Sequence, residues 1–175
     1  HAVLEYRGFS LKVVKGPDTG KSAAFEQRSI EIGSAEGVDF QLTDRTVSRH
    51  HAVIDITEEG YRIRDEQSRN GTRISGCRIG WGILKPGTVV EFGSTQVRFE
   101  LGDAQCRVEL ADRGGFGSML GKSTAMRELY ATLEKVARGD ITVLLEGESG
   151  CGKELAAAAI HAASPRAARP LETVD

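Results

Sequence analysis

The chain has 175 residues, of which 39% are hydrophobic and 27% are charged, and its formal net charge is −2. These proportions are those of an ordinary globular protein, and the length accommodates one large domain or two small ones. A net charge near zero, with acidic and basic residues interspersed, disfavours a broad basic face, so we predict no DNA binding by this chain.

Cysteine spacing and hydropathy exclude further classes of protein. The three cysteines lie far apart and form neither a disulfide framework nor a metal-ligand spacing, so we predict no metal site; they are Cys77, Cys106 and Cys151. No apolar run approaches the roughly 20 residues that a membrane span needs. We therefore expect a cytoplasmic protein without a membrane contact.

Apolar residues recur at every second position up to about Gly102, which is the pattern of strands with one buried face. The clearest examples are Leu11 and Val13, Ile30 and Ile32, Ile54 and Ile56, Tyr61 and Ile63, and Val97 and Phe99. Groups rich in glycine, proline and asparagine separate these runs at 16–20, 58–60, 70–71 and 86–87. Many short strands at this spacing predict a β-sandwich over residues 1–102.

The pattern changes to helical spacing from about Phe116, after a predicted linker over residues 103–115. A first helix is predicted between a cap at Ser123 or Thr124 and an end at Gly139. The continuous apolar run 141–146 predicts a strand buried on both faces of a parallel sheet. A glycine-rich turn and an alanine-rich helix from about Lys153 follow, so residues 116–175 predict the opening of an α/β nucleotide-binding unit.

One strand and two helices provide no complete sheet. We therefore expect residues 116–175 to be the N-terminal fragment of a larger α/β domain. The predicted fold class is mainly β: a sandwich followed by a truncated α/β P-loop fragment.

Three short motifs in the first half carry a family resemblance. They are Ile32-Gly33-Ser34, Val47-Ser48-Arg49-His50-His51-Ala52 and Ser68-Arg69-Asn70-Gly71-Thr72. In this order they resemble the forkhead-associated (FHA) family over about residues 8–101. The resemblance implies a sandwich of about eleven strands whose loops at one end bind phosphothreonine peptides.

A phosphothreonine carries a charge of about −1.5 to −2 and three strong acceptor oxygens, so its site needs hydroxyl, amide and guanidinium donors. By resemblance, Ser48 donates its hydroxyl to the phosphate and Asn70 binds the peptide backbone, while His51 braces the loop. The predicted phosphopeptide-binding residues are Ser34, Arg45, Ser48, Arg49, Arg69 and Asn70.

One position departs from the FHA pattern. The family's phosphate-binding arginine falls at Ser34, and Arg45, Arg49 or Arg69 is expected to compensate for it. The expected partner is a phosphothreonine-containing protein, such as a kinase or the chain itself. The alternative is that the sandwich serves phosphate-independent protein interaction or oligomerisation.

The segment 147–154 fits the P-loop pattern GxxxxGK. Its predicted nucleotide-binding residues are Gly147, Glu148, Ser149, Gly150, Cys151, Gly152, Lys153 and Glu154. Glu154 stands where a generic P-loop has a magnesium-binding Ser or Thr, which disfavours a P-loop kinase or a transporter ATPase. The sequence GESGCGKE instead resembles sigma-54-dependent activators, whose domains are AAA+ ATPases, and the match extends from Leu120 to about Pro170.

The second resemblance implies an intact protein that binds ATP with Mg²⁺, assembles as a ring and remodels sigma-54 RNA polymerase. Its Walker B carboxylates, arginine finger and sigma-contacting loop have no counterpart in these 175 residues. We therefore expect no catalytic residue, no ATP hydrolysis and no bound nucleotide in this chain. Two readings follow: an ATP-driven activator with the FHA domain as sensory input, or a recognition module in which the P-loop is a passenger.

Overall fold

The computed structural model describes residues 2–173, and these residues form two compact units. The first unit is Glu5–Cys106, and the second comprises residues 2–4 and 107–173. The first eleven strands are β1 Ala2–Lys15, β2 Ser22–Phe25, β3 Ser29–Gly33, β4 Phe40–Gln41, β5 Ala52–Thr57, β6 Gly60–Asp65, β7 Thr72–Ile74, β8 Cys77–Ile79, β9 Trp81–Leu84, β10 Val89–Phe92 and β11 Thr95–Leu110. The remaining elements are β12 Gly115–Phe116, β13 Met119–Leu120, α1 Thr124–Ala137 and α2 Lys153–Ala163.

The eleven strands form two sheets, which confirms the predicted sandwich. One sheet has the order β2-β1-β11-β10-β7-β8, and the other has the order β4-β3-β5-β6-β9. All the pairs with a described register are antiparallel except β3 with β4, which are parallel. Short turns between neighbouring strands suit the antiparallel pattern.

The period-two pattern of the sequence sets which side chains enter the core. In β5 the burial alternates strictly, and Ile54 lies opposite Ile30 of β3 and Ile63 of β6, all three buried. Phe9 and Phe99 stack in the same core with ring centroids 5.3 Å apart. Each fully buried side chain of this size contributes about 1.5–3 kcal/mol, so this core holds the loops at the end of the sandwich in place.

The second unit has a smaller core built on helix α1. Ser123 caps this helix by accepting a hydrogen bond from the Met126 backbone N–H, which confirms the predicted start. Tyr130 and Leu133 are buried on its inner face, and Ala156 and Ala159 of α2 belong to the same apolar cluster. No helix among the described residues is long and apolar enough to cross a bilayer.

The strand predicted at 141–146 is wrong, because residues 140–148 have no regular secondary structure. Ile141 and Leu144 are 63% and 80% exposed. A strand buried in a parallel sheet needs backbone partners on both sides. None of the described strands pairs with this segment, so Ile141, Val143 and Leu144 stay exposed, whereas Leu145 packs against the second core.

Part of the predicted linker over 103–115 is regular structure. Residues 103–110 continue β11, and Gly115–Phe116 is β12. Exposed and less exposed residues alternate from Asp103 to Leu110, as expected for a strand with one sheltered face. The domain boundaries at 102 and 116 remain a prediction.

Candidate functional site

The first candidate site is a pocket formed by loops of the sandwich. It has a volume of about 500 Å³ and is lined by Ser34, Arg45, Thr46, Val47, Ser48, Arg49, Arg69 and Asn70. These residues come from the loops that follow β3, precede β5 and follow β6. All six residues predicted to bind phosphopeptide therefore lie around one cavity, and their role in binding remains a prediction.

The Ser48 hydroxyl is oriented by the loop that follows β6. Its Oγ accepts a hydrogen bond of 3.0 Å from the Arg69 backbone N–H. Because the oxygen acts as an acceptor in this contact, the hydroxyl hydrogen is available for an acceptor in the pocket. The same bond holds the backbone of Arg69 beside Ser48.

His51 lies beneath the pocket and is completely buried. Its Nδ1 accepts a hydrogen bond of 3.0 Å from the Ser48 backbone N–H, so the neutral ring carries its proton on Nε2, which lies 3.3 Å from the Gly71 carbonyl oxygen. Burial lowers the pKa of His51, although the Gly71 carbonyl and the Asp65 carboxylate oppose this shift. The ring is therefore a neutral brace between two loops, as the resemblance implies.

Asn70 joins the same loops from above the histidine. Its Nδ2 donates a hydrogen bond of 2.7 Å to the Thr46 carbonyl oxygen. This contact fixes the orientation of the amide and leaves its oxygen as an acceptor for a peptide N–H. Asn70 is exposed, so a ligand can reach it.

Asp44 organises the loop before β5, and the sequence analysis missed it. This buried carboxylate accepts hydrogen bonds from the Thr46 N–H and hydroxyl at 2.8 and 2.7 Å, and from the Ser94 and Thr95 hydroxyls at 2.7 and 2.8 Å. Burial raises the pKa of Asp44, but these hydrogen bonds outweigh it and hold the pKa well below its usual value. An aspartate two residues before a threonine is a turn signal that identifies such a residue.

Ser34 does not replace the charge of the missing arginine. Its hydroxyl donates to the Val47 carbonyl oxygen at 3.0 Å, and its backbone N–H donates to the Ser48 carbonyl oxygen at 3.0 Å. The preceding Gly33 is packed so closely that a Cβ there would overlap the Arg49 carbonyl. Ser34 therefore closes the loop, with its hydroxyl proton already engaged.

Positive charge in this pocket comes from three arginines. Arg45, Arg49 and Arg69 are exposed, and within residues 2–173 none of their guanidinium groups forms an ion pair or a hydrogen bond. Guanidinium groups bind phosphate and carboxylate through two parallel N–H donors. The pocket thus combines unpaired cations with a hydroxyl and an amide, which suits an anionic ligand.

The second candidate site is the loop before α2. Gly150 and Gly152 have φ angles of +80° and +96°, which other residues rarely adopt, and they let the loop curl around the Lys153 ammonium. The Nζ atom donates to the Gly147 and Glu148 carbonyl oxygens at 2.8 and 2.7 Å. An adjoining pocket of about 370 Å³ is lined by Ser149, Gly150, Gly152, Lys153, Glu154 and Leu155.

The donors of this loop fit a phosphate better than a magnesium ion. Helix α2 begins at Lys153 and has no side-chain cap, so its first N–H groups are available to an anion. Glu154 follows the lysine and has no hydroxyl for a metal ion. If the Lys153 ammonium leaves the Gly147 and Glu148 carbonyl oxygens, it can bind a phosphate in the loop through its positive charge.

The fold and the motifs together define the class: an FHA-like sandwich joined in one chain to a sigma-54 interaction domain. The chain belongs to the family described as "Inner membrane component of T3SS, cytoplasmic domain", whose model matches residues 12–104. The model described as "Sigma-54 interaction domain" matches residues 119–175.

A curated relative and two solved structures match different halves of the chain. The Nif-specific regulatory protein of Enterobacter agglomerans is 59% identical over 56 residues, which are 32% of this chain and 11% of that protein. The chain thus spans about a tenth of the length of this relative. A structure titled "Structural and functional analysis of phosphothreonine-dependent FHA domain interactions" is 24% identical, with a TM-score of 0.50 over 55% of this chain and 99% of that chain.

The second structure is that of Mycobacterium tuberculosis EmbR in complex with a low affinity phosphopeptide. It is 26% identical, with a TM-score of 0.50, and the match covers 56% of this chain and 25% of that chain.

Proposed function

We propose that this chain is part of a sigma-54-dependent transcriptional regulator in which the FHA-like sandwich reads phosphothreonine as a sensory input. In the same proposal the P-loop binds ATP with Mg²⁺ in the intact protein, and other parts of that protein act on sigma-54 RNA polymerase. The similarity of residues 119–175 to the sigma-54 interaction domain supports the second statement.

The observation that carries the phosphothreonine proposal is the meeting of Ser48, Asn70 and three unpaired arginines around one pocket. A phosphate oxygen accepts the hydroxyl hydrogen of Ser48, and the amide of Asn70 binds the peptide backbone. Arg69 lines this pocket, and its backbone N–H is bonded to Ser48 Oγ, so we assign the charge to its guanidinium. It supplies the charge that the family arginine, replaced by Ser34, would otherwise provide.

The bound phosphopeptide of EmbR is a precedent within the same fold. A charge-assisted hydrogen bond contributes about 1.5–3 kcal/mol, so a site with three arginines has enough donors to select a phosphorylated peptide. The partner that follows from this chemistry is a protein phosphorylated on threonine, such as a kinase or another copy of this chain.

The test is a titration of the chain with matched peptide libraries that contain threonine or phosphothreonine. Phosphothreonine peptides should bind at least about tenfold more tightly than their unphosphorylated counterparts. Ser48→Ala should remove most of this difference, whereas Ser22→Ala, on exposed strand β2, should preserve it. Equal binding of both libraries would defeat the proposal.

The second candidate function is phosphate-independent protein interaction, and Ser34 is the observation that favours it. The residue leaves the pocket without the family's guanidinium, and its hydroxyl is already bonded to Val47. Under this alternative the two peptide libraries bind alike, and changes at Ser48 leave partner binding intact.

A further inference from the structure

A second group of arginines lies beside the pocket, on the hairpin of β7 and β8. Arg73 and Arg78 occupy directly opposite positions in this strand pair. Two like charges directly opposite each other in a strand pair are destabilising. Neither side chain forms an ion pair with a carboxylate in the part of the chain that the structure describes.

Both arginines contact the turn that bears Asn70. Arg73 Nη1 donates to the Asn70 carbonyl oxygen at 3.5 Å. The Arg78 guanidinium lies against Gly71, so closely that a Cβ at residue 71 would overlap it. The two cations are thus held next to the residue that the proposed function assigns to the peptide backbone.

Two carboxylates lie near these arginines, those of Glu91 and Asp65. Glu91 of β10 is opposite Arg73, and Asp65 of β6 accepts a hydrogen bond from the hydroxyl of Thr72, the residue before Arg73. Within residues 2–173 neither carboxylate forms an ion pair with Arg73 or Arg78. The Asp65 carboxylate is occupied by the Ser68 and Thr72 hydroxyls, and neither arginine is neutralised by an ion pair with a described carboxylate.

We propose that Arg73 and Arg78 form a second anion subsite, which binds a carboxylate or a phosphate in the residues that flank the phosphothreonine. This inference rests on the proposed function, because the peptide must first be held at Ser48 and Asn70. A peptide whose backbone is bonded to Asn70 passes the Asn70 carbonyl, where Arg73 is anchored. The ligand class is then an acidic or doubly phosphorylated peptide rather than any phosphothreonine peptide.

The experiment compares phosphothreonine peptides with neutral flanks against peptides that carry one glutamate, or one phosphoserine, at each flanking position in turn. At one or more positions the acidic peptide should bind about three- to tenfold more tightly, with the larger gain for phosphoserine. The gain should shrink as salt is added, because exposed charges are screened. The glutamate and phosphoserine arms distinguish the two sources of negative charge.

The variants test the assignment to these two arginines. Arg73→Gln and Arg78→Gln, alone and together, should reduce the affinity ratio of acidic to neutral peptides towards one, and Glu91→Gln should raise it. Arg98→Gln removes an exposed positive charge of β11 opposite Val89, and should leave the ratio unchanged.

If neither peptide binds in a phosphate-dependent way, the proposed function fails and this inference fails with it. If phosphothreonine binds but the flanking charge has no effect, or the two substitutions preserve the ratio, only the second subsite is overturned.

Discussion

Ser34 shows how a single side chain can change the charge of a loop that lines a pocket. An arginine at this position would bring a positive charge into the pocket. The serine is neutral, and its hydroxyl donates a hydrogen bond to the Val47 carbonyl oxygen. The pocket then depends on the exposed arginines of neighbouring loops. Within residues 2–173 these arginine side chains form no ion pair or hydrogen bond that restrains them, so a ligand that orders them causes a larger loss of conformational entropy than it would for a restrained side chain.

Ser34→Arg should therefore strengthen phosphothreonine-peptide binding by about tenfold or more, through a new charge-assisted hydrogen bond. Ser34→Ala is the matched control: it loses the Val47 bond, costs about 1 kcal/mol of stability and brings no gain in affinity. The measurement is calorimetric titration of each folded variant. An unchanged affinity for Ser34→Arg would show that the pocket does not hold a phosphate near residue 34.

The buried ring of His51 makes stability depend on pH. Its pKa in the folded protein lies below the ordinary value of 6.5, so folding favours the neutral form. This stabilisation is complete above pH 6.5, and it is lost as the pH falls from 6.5 towards the lower folded pKa. Asp44, whose pKa is also lowered, adds a further loss below its own usual range.

We expect the free energy of unfolding of the first unit to decrease between pH 6.5 and pH 5, as measured by urea denaturation. His51→Gln should reduce this dependence and should cost about 2–3 kcal/mol at neutral pH, because the Ser48 N–H loses its acceptor. A pH dependence in this range that is the same in the variant would contradict the role given to His51.

At the scale of elements, the turn between β6 and β7 matters both for stability and for the position of Asn70. Gly71 has a φ of +78°, and its missing side chain makes room for Arg78. Gly76, in the turn between β7 and β8, has nearly the same φ of +77° but has open space around it. A comparison of alanine substitutions at the two glycines therefore distinguishes the cost of backbone strain, which both share, from the cost of steric overlap, which only Gly71 has.

Gly71→Ala should cost more stability than Gly76→Ala, which should lose only the roughly 1 kcal/mol of a left-handed alanine. Gly71→Ala should also weaken phosphothreonine-peptide binding, because displacement of Arg78 shifts the Asn70 turn. Thermal unfolding and peptide titration of both variants measure the two effects. Equal losses of stability would show that Arg78 moves aside without cost.

The elements also show where local patterns were sufficient. Alternation of apolar and polar residues predicted both β5 and β6. The same alternation fixes their register, because a shift of one residue would expose every buried isoleucine. The same kind of reasoning failed at 141–146. Its apolar composition is typical of a strand, but strand formation depends on neighbours rather than on propensity alone.

Residues 2–173 form two hydrophobic cores of unequal size. The first encloses five phenylalanines, at positions 9, 25, 40, 92 and 99, together with many aliphatic residues, whereas alanines make up much of the second. Apolar residues such as Ile141, Leu144 and Leu155 remain exposed in the second unit. This surface fits the proposal that residues 119–175 fold as part of a longer sigma-54 interaction domain.

We expect the 175-residue chain to hydrolyse ATP no faster than background. Phosphoryl transfer needs metal-binding and water-orienting groups beyond the P-loop, and Glu154 offers no hydroxyl to a magnesium ion. A phosphate-release assay with wild type and Lys153→Ala tests this expectation. A rate well above background that Lys153→Ala abolishes would show that these residues already form a working site.

The sequence alone determined the alternating strands of the sandwich, the start of α1 and the two motifs, and the FHA resemblance implied the number of strands. These properties depend on local sterics and on the period of apolar residues, which can be read along the chain. Tertiary structure decided that Ser34 bonds to Val47, that Asp44 anchors the loop before β5 and that Arg73 and Arg78 flank Asn70. Each of these facts depends on which distant segments meet, and that depends on long-range packing that no local pattern specifies.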